Sequence, residues 1–201
     1  MSEDGGVVNA GLSGRARQLM RADALDVAEA IVLDRGYRGV NMQEVADRVG
    51  VARQTLYSEF GSKQGLASAL VLRLTGRFLD GIERALAAHP EMRAAWWAAA
   101  RYTFDAAADN PLLKAVLVGD GSGELLPLLT SEAAPVVREA TDRLVTGVCR
   151  RWPGLDHAEV GVAAEAATRL ALSHLVLPLH PPDVVAEHIA ELVVRFLGHQ
   201  G

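Results

Sequence analysis

Apolar side chains recur along this chain at spacings of three and four, the period of a helix with one buried face. Ala24, Val27, Ala28 and Ile31 set the pattern, and Gly36 follows where a left-handed residue would end the helix. Met42, Val45, Ala46 and Val49 repeat it between Asn41, a good N-cap, and Gly50, a good stop. A short segment from Ala52 to Phe60 ends at Gly61-Ser62, and Ser62 is placed to cap a longer helix from Lys63 to about Ala87. Beyond His89-Pro90 the pattern predicts helices over Glu91–Ala108, from Pro111 behind the cap Asn110 to about Val118, and over Pro135–Arg151. Gly119 to Gly123 reads as a flexible connection. Asp156 with Glu159 resembles a capping box and opens a helix to about Leu177, and Asp183–Leu197 is the last. No stretch alternates apolar and polar residues cleanly enough for a strand. The expected fold is all-α, with about nine helices.

The stretch Asn41 to Lys63 carries the most information. Ala46 is small where two helices must cross closely, Gly50 supplies the positive φ of a tight turn, and Val45, Val49, Val51 and Leu56 are spaced to point inward. This is the spacing of a helix-turn-helix, although a helical hairpin with no role on DNA would show it too. The outer side of the second helix offers Arg53, Gln54, Thr55, Tyr57 and Ser58. A helix fits the major groove, where Arg reads guanine and Gln reads adenine by paired hydrogen bonds. Tyr57 and Ser58 suit phosphate oxygens, which hold register. Lys63 opens the next helix, so its ammonium and that helix's free N–H groups can converge on one phosphate. Asn41 and Gln43, at the start of the preceding helix, are further candidates for phosphate contact.

Charge divides the chain. The whole carries a net −5, yet residues 12–65 hold eight Lys/Arg against seven Asp/Glu, while residues 66–201 hold twelve against sixteen. A weakly basic N-terminal module precedes an acidic remainder, and such asymmetry speaks to partners. The acidic start of the chain lacks the apolar core of a secretory signal, so a cytoplasmic protein is expected. Its uncharged runs are too short for a membrane span. Cys149 is the single cysteine, which allows no internal disulfide. Enzyme readings find little support. Gly119–Gly123 lacks the Lys-Ser/Thr of a phosphate loop, no two histidines stand four apart, and Ser173 and His174 point to different sides of a helix. Neither a catalytic group nor a metal or other cofactor is expected.

Residues 15–66, above all Val51-Ala-Arg-Gln-Thr-Leu-Tyr-Ser-Glu-Phe-Gly-Ser-Lys63-Gln-Gly-Leu66, resemble the DNA-binding domain of TetR/AcrR-family transcriptional regulators. The glycine closing helix 1 is matched by Gly36, the apolar-Ala pair by Val45-Ala46 and the Gly-Val turn by Gly50-Val51. Thr55-Leu56-Tyr57, Phe60, Lys63 and Leu66 match the rest. Two positions depart: the family commonly has Ser or Thr at Ala52, the cap of the reading helix, and a neutral or basic residue near Glu59, where an acid would be repelled by phosphate. The resemblance implies a flexible tail over 1–14, a helix-turn-helix domain over 15–62, and a helical ligand-binding and dimerisation domain over 63–201. It implies a homodimeric regulator, most commonly a repressor, that leaves its double-stranded DNA operator when a small hydrophobic ligand binds. The alternative is a helical protein-binding module that no longer reads DNA.

Within the C-terminal region, Trp97, Arg101 and Phe104 fall on one helix face and make an apolar cavity with one cation conceivable, with Leu117 and His174 as further lining candidates. Such an aromatic stripe suits a plain core equally. Ala164, Ala167, Ala171 and Leu175 on one helix, with Val185, Ile189, Leu192 and Phe196 on the next, form stripes that suit either a dimer interface or the chain's own core. The resemblance favours the interface.

Overall fold

The computed structural model describes residues 5–118 and 125–198. Among them are nine α-helices and no strand: α1 Gly5–Arg35, α2 Met42–Val49, α3 Arg53–Phe60, α4 Lys63–Ala87, α5 Met92–Asp109, α6 Pro111–Val118, α7 Ala134–Arg151, α8 His157–Val176 and α9 Pro182–Gly198. Single 3-10 turns at Tyr37–Gly39 and Leu126–Leu129 were not foreseen in the sequence pattern. The expected connection at Gly119–Gly123 lies outside the described residues. Helix α1 begins at Gly5, inside the stretch 1–14 expected to be a flexible tail. The Ala, Leu and Arg residues after Val7 favour helix, and no proline interrupts them.

The chain forms two compact units, Met1–Leu70 and Val71–Gly201, which divide within α4 instead of at its start. In the first unit, the apolar faces read from the sequence meet one another. Ala24, Ala28 and Ile31 of α1, Val45 and Ala46 of α2 and Leu56 of α3 are all essentially inaccessible. The joints are held by the foreseen chemistry. Asn41 Oδ1 accepts a 2.8 Å hydrogen bond from the Gln43 amide, and Gly50, at φ 78°, closes α2 by donating to the Ala46 carbonyl. Ser62 Oγ accepts from the Gly65 amide at 3.0 Å, which opens α4. Ala52 gives α3 no side-chain cap.

In the second unit, α5 packs along α9, and α8 packs against both α7 and α9. Alanines line these contacts: Ala95 and Ala99 on α5, Ala186 and Ala190 on α9, and Ala163, Ala164 and Ala167 on α8 are buried. Small side chains allow helix axes to approach closely. Val148, Val160, Val185 and Val193 fill what remains. Surface ion pairs accompany the packing, with Arg93 bound to Glu187 and Arg101 to Asp183 between α5 and α9. Arg143 of α7 reaches α4, donating to Glu83 and Asp80 at 2.7 Å each and to the Gly76 carbonyl at 3.1 Å. The carboxylate of Glu83 first, then that of Asp80, raises its pKa further and keeps the guanidinium charged. No described helix is long and apolar enough to cross a membrane.

Candidate functional site

The second helix of the helix-turn-helix, α3, has two unlike faces. Leu56 and Phe60 face the core, and on the opposite side Gln54, Thr55 and Ser58 are exposed. At 100° per residue, these three make the centre of the outer face. Arg53 and Tyr57 stand at its flank and hold each other. The Arg53 guanidinium lies 5.2 Å from the centre of the Tyr57 ring, and its Nη2 donates to the Tyr57 hydroxyl at 3.1 Å. Asn41 and Gln43 are both exposed at the start of α2. The oxygen of Asn41 is engaged as the cap, and Gln43 Nε2 donates to Asp47 at 2.8 Å. The ammonium of Lys63 sits 4.4 Å over the Tyr37 ring and donates to the Arg38 carbonyl at 3.4 Å, so it is drawn toward the turn after α1.

Glu59, the acid that departs from the family pattern, points away from this face. Its carboxylate accepts from Arg17 Nε at 2.5 Å and from Arg21 Nη1 at 2.6 Å, and its side chain is only 7% exposed. Burial pushes the carboxyl upward, but the hydrogen bonds from Arg17 and Arg21 outweigh it and leave the pKa below its ordinary value. Arg21 also covers the Phe60 ring at 5.0 Å. An α1–α3 clasp therefore holds the Glu59 carboxylate away from the exposed row of α3. Sequence reasoning missed Arg17 and Arg21, because a pair separated by about forty residues has no periodic signal.

The second unit encloses a cavity. Its empty volume is about 930 Å³, counting its open side, and it lies among α4, α5, α6, α7, α8, α9 and the turn at Leu129. Val71, Leu74, Phe78 and Ile82 contribute from α4, Trp96 and Ala100 from α5, and Ala171 and Leu175 from α8. Three hydroxyls reach the wall, and each already donates to the carbonyl four residues back on its own helix. These are Thr75 to Val71, Thr103 to Ala99 and Thr168 to Ala164. No charged side chain belongs to the lining.

The lining expected from the sequence is corrected on four counts. Trp97 is 38% exposed and lies off the cavity, and Arg101 is spent on Asp105 and Asp183 at the surface. Phe104 is buried in the core. His174 Nδ1 bonds the Leu170 carbonyl at 3.0 Å, and its ring neighbours that of His180. The fifth expectation, the Leu117 side chain, lies outside the described residues. The face of α5 that lines the cavity is 96, 99, 100 and 103, one residue from the expected 97, 101 and 104. One residue is a 100° rotation of the helix, and aromatic periodicity alone does not say which of two adjacent tryptophans faces in. A usable signal lay in α4, where 71, 74, 75, 78, 79 and 82 form one apolar stripe.

The interface expectation divides similarly. Ala164, Ala167, Val185 and Ile189 are buried in the chain's own core, with Ala171 and Leu175 packed against it. Leu192 and Phe196 are instead 43% and 45% exposed. With Val184 and His188 they form an open stripe on α9 at four-residue spacing, and Val162 of α8 is exposed as well. Among the described residues, no group of three His, Cys, Asp or Glu side chains is placed to hold a metal ion.

Comparison with known proteins agrees with this arrangement. Residues 24–70 match the model of bacterial regulatory proteins of the tetR family, and residues 91–195 match that of the bacterial tetracyclin repressor C-terminal domain. The HTH-type transcriptional regulator AlkX of Mycobacterium tuberculosis is 32% identical over 187 residues, covering 92% of this chain and 89% of that protein. The HTH-type transcriptional activator FasR of Mycolicibacterium smegmatis is 35% identical over 89 residues, 44% of this chain and 41% of its own. Among solved structures, the TetR family repressor AlkX from Dietzia sp., implicated in biodegradation of n-alkanes, superposes with a TM-score of 0.74 at 30% identity. That match covers 88% of this chain and 96% of the repressor. The chain belongs to the TetR family and is a helix-turn-helix DNA-binding transcriptional regulator.

Proposed function

We propose that this regulator is a homodimeric repressor that reads its operator through the outer face of α3 and is released when an aliphatic compound enters the cavity of the second unit. The observation that carries the DNA half is the exposed row Gln54, Thr55 and Ser58 on a helix whose other face is locked in the core. Gln54 and Arg53 are the base readers, and Thr55, Tyr57 and Ser58 hold backbone or base edges. Asn41, Gln43 and Lys63 contact phosphate, Lys63 by leaving the Tyr37 ring for the N-terminus of α4. The inward turn of Glu59 weighs against a protein-binding module that has lost DNA, whereas the uncapped start of α3 at Ala52 remains.

The stripe Val184, His188, Leu192 and Phe196, with Val162, supports dimerisation, since exposed apolar side chains in a row mark an interaction face. Two copies would place two α3 helices on half-sites about one turn of DNA apart. The wholly uncharged lining of the cavity supports an apolar effector, and the relative from Dietzia sp. is implicated in n-alkane biodegradation. Helix α4 begins with Lys63 and supplies six cavity residues, so an occupant that favours a different setting of α4 would shift the protein away from the DNA-competent state.

The test is binding to labelled upstream DNA and to a random-sequence pool, with excess unrelated DNA and at several salt concentrations. Tight binding by the wild type should weaken steeply with salt and fall about tenfold or more in Tyr57→Ala. Failure to select any sequence from the pool would overturn the reading.

A further inference from the structure

Lys63, the cation that opens α4, is held by the turn that follows α1. Gly36, at φ 73°, reverses the chain there, and Tyr37 behind it is only 5% exposed. The Tyr37 hydroxyl donates to Gln64 Oε1 at 3.3 Å, which fixes the ring beside the start of α4. Lys63 is half-buried against that ring, with its ammonium 4.4 Å from the ring centre and 3.4 Å from the Arg38 carbonyl. Among the described residues no carboxylate pairs with Lys63, so ring and carbonyl are what hold it. The carbonyl bond is long, and the ring face is the main hold on the charge. The Ser62 hydroxyl takes the Gly65 amide, and the amides of Lys63 and Gln64 have no carbonyl within their own helix. A phosphate settled on those two amides is the one that Lys63 would share.

We propose that Tyr37 is a positioning residue for DNA binding, whose ring holds the Lys63 ammonium back from the phosphate and so sets the affinity for the operator. The proposal rests on the reading of Lys63 as a phosphate contact and deepens it. An ammonium lodged on ring and carbonyl must leave both before it reaches a phosphate oxygen. Its docked and released settings form an equilibrium, and a phosphate that selects the released one binds more weakly in proportion to the fraction released. At a partly exposed site an aromatic face favours the docked cation about two- to fivefold. Removing the ring raises operator affinity by about that factor, opposite in sign to the loss of an aromatic that only supports the fold.

The experiment is a double-mutant cycle on a duplex selected from the random-sequence pool, using the full chain with Tyr37→Leu, Lys63→Met or both. Tyr37→Leu should bind the duplex about two- to fivefold more tightly than the wild type. Lys63→Met should weaken binding and lower the salt slope by about one, and adding Tyr37→Leu to it should bring no gain. Tyr37→Phe keeps the ring, loses only the hydroxyl, and should bind within about twofold of the wild type. Weaker binding by Tyr37→Leu, or a gain that persists beside Lys63→Met, overturns the restraint. An unchanged affinity and salt slope in Lys63→Met overturns the phosphate reading of Lys63 and the proposal with it, while the contacts of α3 stand. A pool that yields no duplex overturns the operator reading as a whole. Should Tyr37→Leu fail to fold, the ε-methylene proton resonances of Lys63 in the wild type decide the matter. The Tyr37 ring should shift them upfield in the protein alone, and the duplex should return them toward ordinary positions. Resonances that stay upfield in the complex, or are never upfield, reject the restraint.

Discussion

Glu59 illustrates what single side chains contribute. Its carboxylate joins α3 to α1 through two arginines that stay 68% and 42% exposed, so solvent screens the pairs from one side. Because its pKa is held below the ordinary carboxylate value, its stabilising effect is present above about pH 4.3, where the unfolded side chain is ionised. The effect is lost as pH falls through the depressed folded value. Glu59→Gln should therefore lower unfolding stability by about 1 kcal/mol at pH 7, and the difference should vanish in acid as the wild-type carboxyl protonates. Denaturant unfolding at a series of pH values measures this directly. A gap that persisted unchanged into acid would mean that packing, not charge, holds the clasp. Gly65 contributes by having no side chain: a Cβ there would stand 1.9 Å from the Phe60 carbonyl oxygen, so Gly65→Ala should separate the start of α4 from the end of α3. A loss of about 1–3 kcal/mol is expected, read in the same unfolding experiment.

At the scale of elements, helix ends were more legible than helix faces. Caps at Asn41, Ser62, Asn110 and Asp156 accept the expected amide hydrogen bonds, because a cap is a contact within three residues of chain. Faces depend on partners distant in sequence, and the stripes of α8 and α9 proved to be mostly core. Their exposed remainder makes a prediction of its own. If the proposed dimer forms through this stripe, Leu192→Glu with Phe196→Glu should leave helical content intact and give a monomer in sedimentation analysis where the wild type is dimeric, weakening operator binding with it. A double variant still dimeric at micromolar concentration would place the interface elsewhere.

For the whole molecule, the proposed effector role of the cavity makes its own prediction. Substituting Ala171, on its wall, by Leu adds volume to empty apolar space. Filling such space stabilises by about 0.5–2 kcal/mol when strain is avoided. Ala171→Leu should melt higher, bind operator as the wild type does, and no longer release it on addition of an apolar compound that releases the wild type. Competition binding on labelled operator reads the response, and unaltered release would show that effectors act from another place. A compound at a hundred times its dissociation constant should stabilise the wild type by about 2.7 kcal/mol and the filled variant hardly at all.

The all-helical class, nearly every helix boundary, and the row of polar side chains over Arg53–Ser58 follow from local rules, since caps, prolines, glycines and a 3.6-residue period act between near neighbours. The separate fate of Trp96 and Trp97, one in the cavity wall and one in solvent, does not follow from those rules. Neither does the burial of Ala164 and Ile189 beside an open Leu192, nor the capture of Glu59 by Arg17 and Arg21. Each of these turns on the azimuth at which one helix meets another. That angle is set by close packing among residues scores of positions apart, which no periodicity within a single helix encodes.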